Sequence, residues 1–266
     1  MMTGVKTLSR SGRPRPTGRR RVTVVSPHFD DVPLSLGQSL RDGVLSTCRV
    51  DVRVAFGRTN WTSWVHPTPG RARAVGAWRR AEETAASIVF RYRWTAAGWD
   101  EVILRGSATG MLAPEQILDP SVDLGDEPLV DELAEWLELV AGPGNESAPD
   151  LLLVCAGLGG HVDHRIVARA AAGLVGRLAC PVGFYEDRPY VSHLSIEQRD
   201  QQLADLALEL EPVDVSGAVS RSTQMRARRC YPSQMAPFFE EAMDLDRVAD
   251  ARERVWFPVG TAPAWL

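Results

Sequence analysis

Two apolar runs, residues 22–25 and 151–155, are continuous rather than alternating, and this restricts what the chain can fold into. A run with apolar side chains on both faces needs cover on both faces, which strands inside a parallel sheet receive from flanking helices. Each run ends at turn-forming residues and leads into residues of metal-ligand type: Ser26-Pro27-His28-Phe29-Asp30-Asp31 after the first, Gly160-His161-Val162-Asp163-His164 after the second. Three of the five histidines in 266 residues fall in these two places, which points to a hydrolytic metalloenzyme.

The rest of the chain alternates in the same way. Apolar spacing predicts helices over 34–45, 72–90, 129–140 and 166–178, and strands over 51–56 and 182–185. Gly142-Pro143-Gly144-Asn145 stops the third helix. Residues 98–125 hold only short apolar pieces and support no firm assignment. Alternating strand and helix implies an α/β fold: a Rossmann-like, mostly parallel sheet with helices on both faces, in a single domain over 21–266. Residues 1–20 carry Lys6, Arg10, Arg13, Arg15, Arg19 and Arg20 among Ser, Gly, Pro and Thr, the composition of a flexible basic tail. In open parallel sheets ligands bind beyond the carboxyl ends of strands, where strand order reverses. Both clusters begin where a strand is expected to end.

A net charge of −4 provides no general attraction for nucleic acid. No run of 18 apolar residues is present, and the first residues lack the apolar core of a secretory signal, so neither a membrane span nor general export is expected. The four cysteines lack CxxC spacing, which fits reduced thiols and a cytoplasmic location. Residues 197–210 read as an ordinary surface helix, and the sequence carries no signal of oligomeric state.

His28 and Asp31 are three residues apart, as are His161 and His164, a spacing that points both side chains to one side at the start of a helix. Two imidazoles and one carboxylate leave an open position for water, as catalytic zinc requires, and the same set suits non-haem Fe(II). The remaining carboxylates, Asp30 and Asp163, would serve as base or as orienting groups. The plainer alternative is that these aspartates cap helices. Amide hydrolysis needs an activated water, a stabilised oxyanion and a proton for the leaving amine; a metal, a carboxylate and a histidine supply all three. A metal-stabilised binding protein without turnover is the alternative from another class, though a purely structural zinc usually fills all four positions with protein ligands. His66 and His193 read as ordinary loop and helix-start residues. Trp61, Trp64 and Trp99 lie in loop-like segments and either anchor loops or stack on a ligand ring.

These residues resemble the LmbE-like (PIG-L) deacetylases. The stretch Pro27-His28-Phe29-Asp30-Asp31-Val32 is similar to that family's Pro-His-Pro-Asp-Asp-Glu, and His161-Val162-Asp163-His164 to its His-Pro-Asp-His. Weaker matches are Arg79, Glu82 and Ala86 to an Arg-x-x-Glu-x-x-x-Ala helix, the stretch 185–190 to a late strand end, and Tyr231-Pro232-Ser233-Gln234 to Tyr-x-Ser-Gln. The resemblance implies removal of an acetyl group from an N-acetylglucosamine-type small molecule, with another amide as the alternative substrate. It implies zinc on His28, Asp31 and His164, Asp30 as general base, His161 at the oxyanion, Asp163 orienting a histidine, and Arg79 on sugar hydroxyls or a phosphate. Trp61 is the aromatic candidate for substrate contact. The chain departs from the pattern at Phe29, Val32 and Val162, and at Gly159, where some members carry a tyrosine.

Overall fold

The computed structural model describes residues 18–64, 69–106, 114–119, 121, 127–142 and 148–266. Most of the expected basic tail, and His66, lie outside the described residues.

Seven strands form one sheet: β1 (Arg21–Ser26), β2 (Arg49–Val54), β3 (Arg93–Ala96), β4 (Leu151–Cys155), β5 (Val182–Tyr185), β6 (Leu210–Ala218) and β7 (Arg252–Pro258). Their spatial order is β3-β2-β1-β4-β5-β7-β6. The first five are mutually parallel, whereas β7 runs antiparallel to both β5 and β6. The helices are α1 (Asp31–Asp42), α2 (Ala72–Phe90), α3 (Val102–Arg105), α4 (Pro114–Ile117), α5 (Glu127–Ala141), α6 (Val162–Ala172), α7 (Ile196–Ala204), α8 (Arg221–Cys230) and α9 (Pro237–Val248). Helices α1, α2 and α8 pack on one another, as do α5 and α6. Strand β4 is buried along its whole length and β1 from Val22 onward, as the continuous apolar runs require.

The chain leaves β1 toward β2 and β3 on one side and returns to β4 on the other. The sheet therefore reverses its strand order between β1 and β4, and the crevice at their carboxyl ends is where such sheets bind ligands.

Two helices begin earlier than their apolar spacing predicts. Helix α1 starts at Asp31 rather than 34 and α6 at Val162 rather than 166, because the polar motif residues themselves form the first turns. Strand β2 lies two residues earlier than expected, and α7 ends at Ala204, well short of 210, with Leu203 its only buried residue. Strands β3 and β6 carry no continuous apolar signal because most of their residues remain at least partly exposed. All four cysteines are free thiols, and no described helix is long and apolar enough to cross a membrane.

Gly183 lets the antiparallel β7 lie against the parallel half. A Cβ at this position would sit 2.6 Å from both Phe257 Cε1 and Val255 Cγ1. Substituting Gly183→Ala therefore overpacks the core, and urea denaturation should show a loss of about 1–3 kcal/mol.

Candidate active site

Strands β1 and β4 pair directly, Val25 opposite Val154, so the loops that follow them meet. The first motif turns into α1 and the second into α6. Asp30 stands at the N-cap of α1 but makes no side-chain capping bond there, whereas the His161 ring caps α6, its Nδ1 accepting the Asp163 backbone N–H at 3.2 Å. The expected capping by an aspartate is thus not found at Asp30, and in α6 the cap is a histidine.

Three ligand-type groups form a triangle. His28 Nδ1 lies 3.2 Å from His164 Nε2 and 3.5 Å from Asp31 Oδ2, and His164 Nε2 lies 3.4 Å from Asp31 Oδ1. Donors about 2.0–2.1 Å from a tetrahedral ion stand about 3.3–3.4 Å from each other; the two ring nitrogens are that close, Asp31 meets each of them through a different oxygen, and His161 lies near enough to share an ion with the same two rings. The second nitrogen of each histidine is already engaged: His28 Nε2 with Asp163 Oδ2 at 2.9 Å, and His164 Nδ1 with Asp187 Oδ1 at 2.6 Å. This carboxylate–histidine arrangement fixes ring orientation and tautomer in metal sites. Asp31 is held in turn by the His28 backbone N–H, which donates to Oδ2 at 2.6 Å.

The outer carboxylates have their own donors. Asp163 accepts from the Val102 backbone N–H at 3.0 Å and from the Arg105 guanidinium. Burial alone would push its carboxyl up, but Arg105 and His28 outweigh burial and hold it well below the usual range. Asp187 accepts the Leu158 backbone N–H at 2.9 Å, though burial still raises its carboxyl. Burial opposes charge on the histidines too. The neighbouring acids nevertheless raise His28 well above its ordinary value, and Asp31 and Asp187 raise His164 to about 9. The cluster therefore favours positive charge at its centre.

His161 differs. Burial, then the charges of His28 and His164, push its ring well below the ordinary value, so it rests neutral. With Nδ1 accepting from the backbone, the neutral ring carries its proton on Nε2. Its centroid is 4.8 Å from that of His28 and 4.9 Å from that of His164.

The residues expected to contact substrate divide. Arg79 lines the cavity, but its Nη2 donates to Asp30 Oδ1 at 2.7 Å with both groups buried, so its nearer task is to hold Asp30. Trp61 lines the cavity mouth. Trp64 packs edge-on against Trp78, and Trp99 against Trp136; neither lines the cavity. His193 stacks on Phe238 with centroids 4.2 Å apart, behind the cavity wall.

The weaker motifs also meet. Glu82 of α2 accepts the Ser233 backbone N–H and hydroxyl at 2.9 and 2.7 Å, and Glu83 accepts the hydroxyls of Tyr231 and Tyr92 at 2.6 and 2.9 Å. They thus tie the helix carrying Arg79 to the segment carrying Gln234, which lines the cavity. Phe29, Val32 and Val162, where the chain departs from the family pattern, are core side chains, and Phe29 packs edge-on against Trp94. Gly159 has φ +84° and leaves room for Tyr190: a Cβ there would stand 2.1 Å from Tyr190 Cβ. The phenol 5.8 Å from the His161 ring therefore comes from the segment after β5.

Sequence reasoning missed Asp187, Glu101, Arg105 and Tyr190 as site residues. Asp187 had a usable signal, an acid two residues beyond the strand that neighbours β4. Glu101 and Arg105 fall in the stretch 98–125, where no periodicity was available.

Glu83 yields a measurable pH effect. Burial raises its carboxyl to about 8, despite the two phenols that favour the ionised form. The folded state then binds this proton more tightly than the unfolded chain does, so its contribution is full below pH 4.5 and is lost as pH rises toward 8. Stability of Glu83→Gln, followed by thermal melts from pH 5 to 8.5, should fall less steeply with pH than that of the native protein.

No family model matches the chain. A curated relative, 2'-N-acetylparomamine deacetylase of Streptomyces fradiae, is 30% identical over 227 residues, which span 81% of this chain and 74% of the relative. This chain belongs to the LmbE-like (PIG-L) deacetylase family. Solved structures that share its fold include two deacetylases. The zinc-inhibited form of teicoplanin deacetylase Orf2 matches at a TM-score of 0.66 and 21% identity over 89% of this chain and 97% of that one. The N,N'-diacetylchitobiose deacetylase of Pyrococcus horikoshii matches at a TM-score of 0.53 and 13% identity over 90% and 84%. As an LmbE-like protein the chain is a deacetylase, an enzyme that hydrolyses an N-acetyl amide bond, and the alternative of a protein without turnover falls away.

Proposed function

We propose that this LmbE-like protein removes the acetyl group from an N-acetylated amino sugar, using a divalent metal held by His28, Asp31 and His164. The observation that carries this reading is the meeting of His28, Asp31 and His164, with the second nitrogens of the two histidines fixed by Asp163 and Asp187. Amino-sugar chemistry is supported by the relative named for 2'-N-acetylparomamine.

When bound, the ion supplies Lewis acidity to water and to the acetyl carbonyl. Arg79 holds Asp30 through Oδ1, which leaves Oδ2 to take a proton from the attacking water. His161, neutral and protonated on Nε2, donates a hydrogen bond to the oxyanion that develops on the carbonyl oxygen. The proton taken by Asp30 is returned to the leaving nitrogen, so water and amide become acetic acid and amine, which part at neutral pH as acetate and ammonium. Arg79 acts here as a positioning residue.

Zinc is the ion we assign; Fe(II) suits the same donors, and reloading the chelated protein with each ion decides between them. Because the teicoplanin deacetylase has a zinc-inhibited form, the titration should run from substoichiometric metal to excess. Acetate release from N-acetylglucosamine conjugates should vanish on chelation and return with metal. Asp30→Asn should lower kcat by about 10²–10⁴-fold while metal content stays stoichiometric. Activity that survives both chelation and Asp30→Asn would sink the mechanism. Asp187→Asn should weaken metal binding about 10–100-fold, read by competition with a chromophoric chelator.

A further inference from the structure

The cavity above the metal-type cluster encloses about 410 Å³ and has two unlike halves. Its floor is polar, formed by His28, Asp30, Asp31 and His161 together with Arg79, Glu101 and Gln234. Its wall is hydrocarbon, drawn from separate parts of the chain: Ile103 on α3, Ile117 and Leu118 at α4, Phe238 and Phe239 on α9, and Trp61.

Two of these are notably open for large apolar side chains, Leu118 at 37% and Trp61 at 36% exposure. Other parts of the wall are held firmly. Phe238 is stacked on His193, and its ring centroid lies 5.9 Å from that of Tyr190. An apolar wall next to a polar reaction floor is the usual form of a site for an amphipathic ligand.

The acids in the cavity all belong to the floor, and each has a cationic neighbour. Asp30 is bound to Arg79, Asp31 lies against His28 and His164, and Glu101 Oε1 is 3.9 Å from His28 Nε2. Among the described residues the wall itself offers no carboxylate. An ammonium group placed there would lose its water without gaining a partner, which is strongly unfavourable.

We infer that the substrate joins its N-acetyl amino sugar to an apolar aglycone, and that Ile103, Ile117, Leu118, Phe238, Phe239 and Trp61 bind that aglycone. This deepens the amino-sugar deacetylase reading and rests on it. The preferred substrate therefore differs in class from a multiply charged aminoglycoside: the sugar sits with its acetyl group over the floor, and the aglycone covers the wall.

The test uses the metal-loaded full chain and a series of N-acetylglucosaminides with free, methyl, butyl and octyl aglycones, kept below micelle-forming concentrations, together with one multiply charged N-acetyl aminoglycoside. Values of kcat/KM should rise about two- to fourfold per methylene while the chain still reaches wall, so that octyl exceeds methyl by at least ~30-fold. Phe238→Ala should lower the octyl-to-methyl ratio by at least ~5-fold. Leu118→Asp should lower it too and shift preference toward the charged aminoglycoside, since it adds the missing carboxylate. Thermal melts check that both variants fold, and calorimetric binding of octyl glucoside to the native protein gives a second reading independent of turnover. Equal kcat/KM across the alkyl series, or a native preference for the charged aminoglycoside, would overturn the inference while leaving the deacetylase intact. Failure to release acetate from any amino sugar would instead overturn the underlying reading and this inference with it.

Discussion

Asp30, Asp31, Asp163 and Asp187 are all buried around one point, and the fold is arranged around giving each of them a donor or a cation. Several acids in a dry site repel each other, and each would take up a proton unless opposed by positive charge or donated hydrogen bonds. Here each has its own partner from a different part of the chain. Arg79 on α2 answers Asp30, Arg105 on α3 answers Asp163, and the Leu158 backbone N–H answers Asp187. Asp31 is left with the two histidines and the space between them, where positive charge is most favoured.

The order of the sheet makes this possible. Three neighbouring strands, β1, β4 and β5, deliver the first motif, the second motif and Asp187 to one edge. The two histidines thereby face each other across the β1–β4 junction, each backed by an acid from the far side. Parting β1 from β4 would separate His28 from His164 and leave Asp163 buried without its imidazole.

Much of this was legible in the sequence, and the boundary is physical. Continuous apolar runs at 22–25 and 151–155 identified parallel strands, and the spacing of His28, Asp31, His161 and His164 marked the cluster because ligand residues must share one side of a turn. The edge strands β3 and β6 were not legible, since a strand that remains partly exposed need not carry a continuous apolar pattern. Glu101 and Arg105 were invisible for another reason. They act through contacts across more than fifty residues, as in the bond from Arg105 to Asp163, and no local spacing encodes such a contact. Arg79 was recognised as a site residue, but its partner is known only once α2 is seen against α1.

The bonds from Glu82 to Ser233 and from Glu83 to Tyr231 let a distant part of the chain act on the base without touching it. Residues 231–233 reach neither Asp30 nor the metal-type cluster; they grip the helix from which Arg79 donates to Asp30. A substitution in this segment would thus reach the reaction through the aim of one carboxylate, while His28, Asp31 and His164 keep the partners described for them.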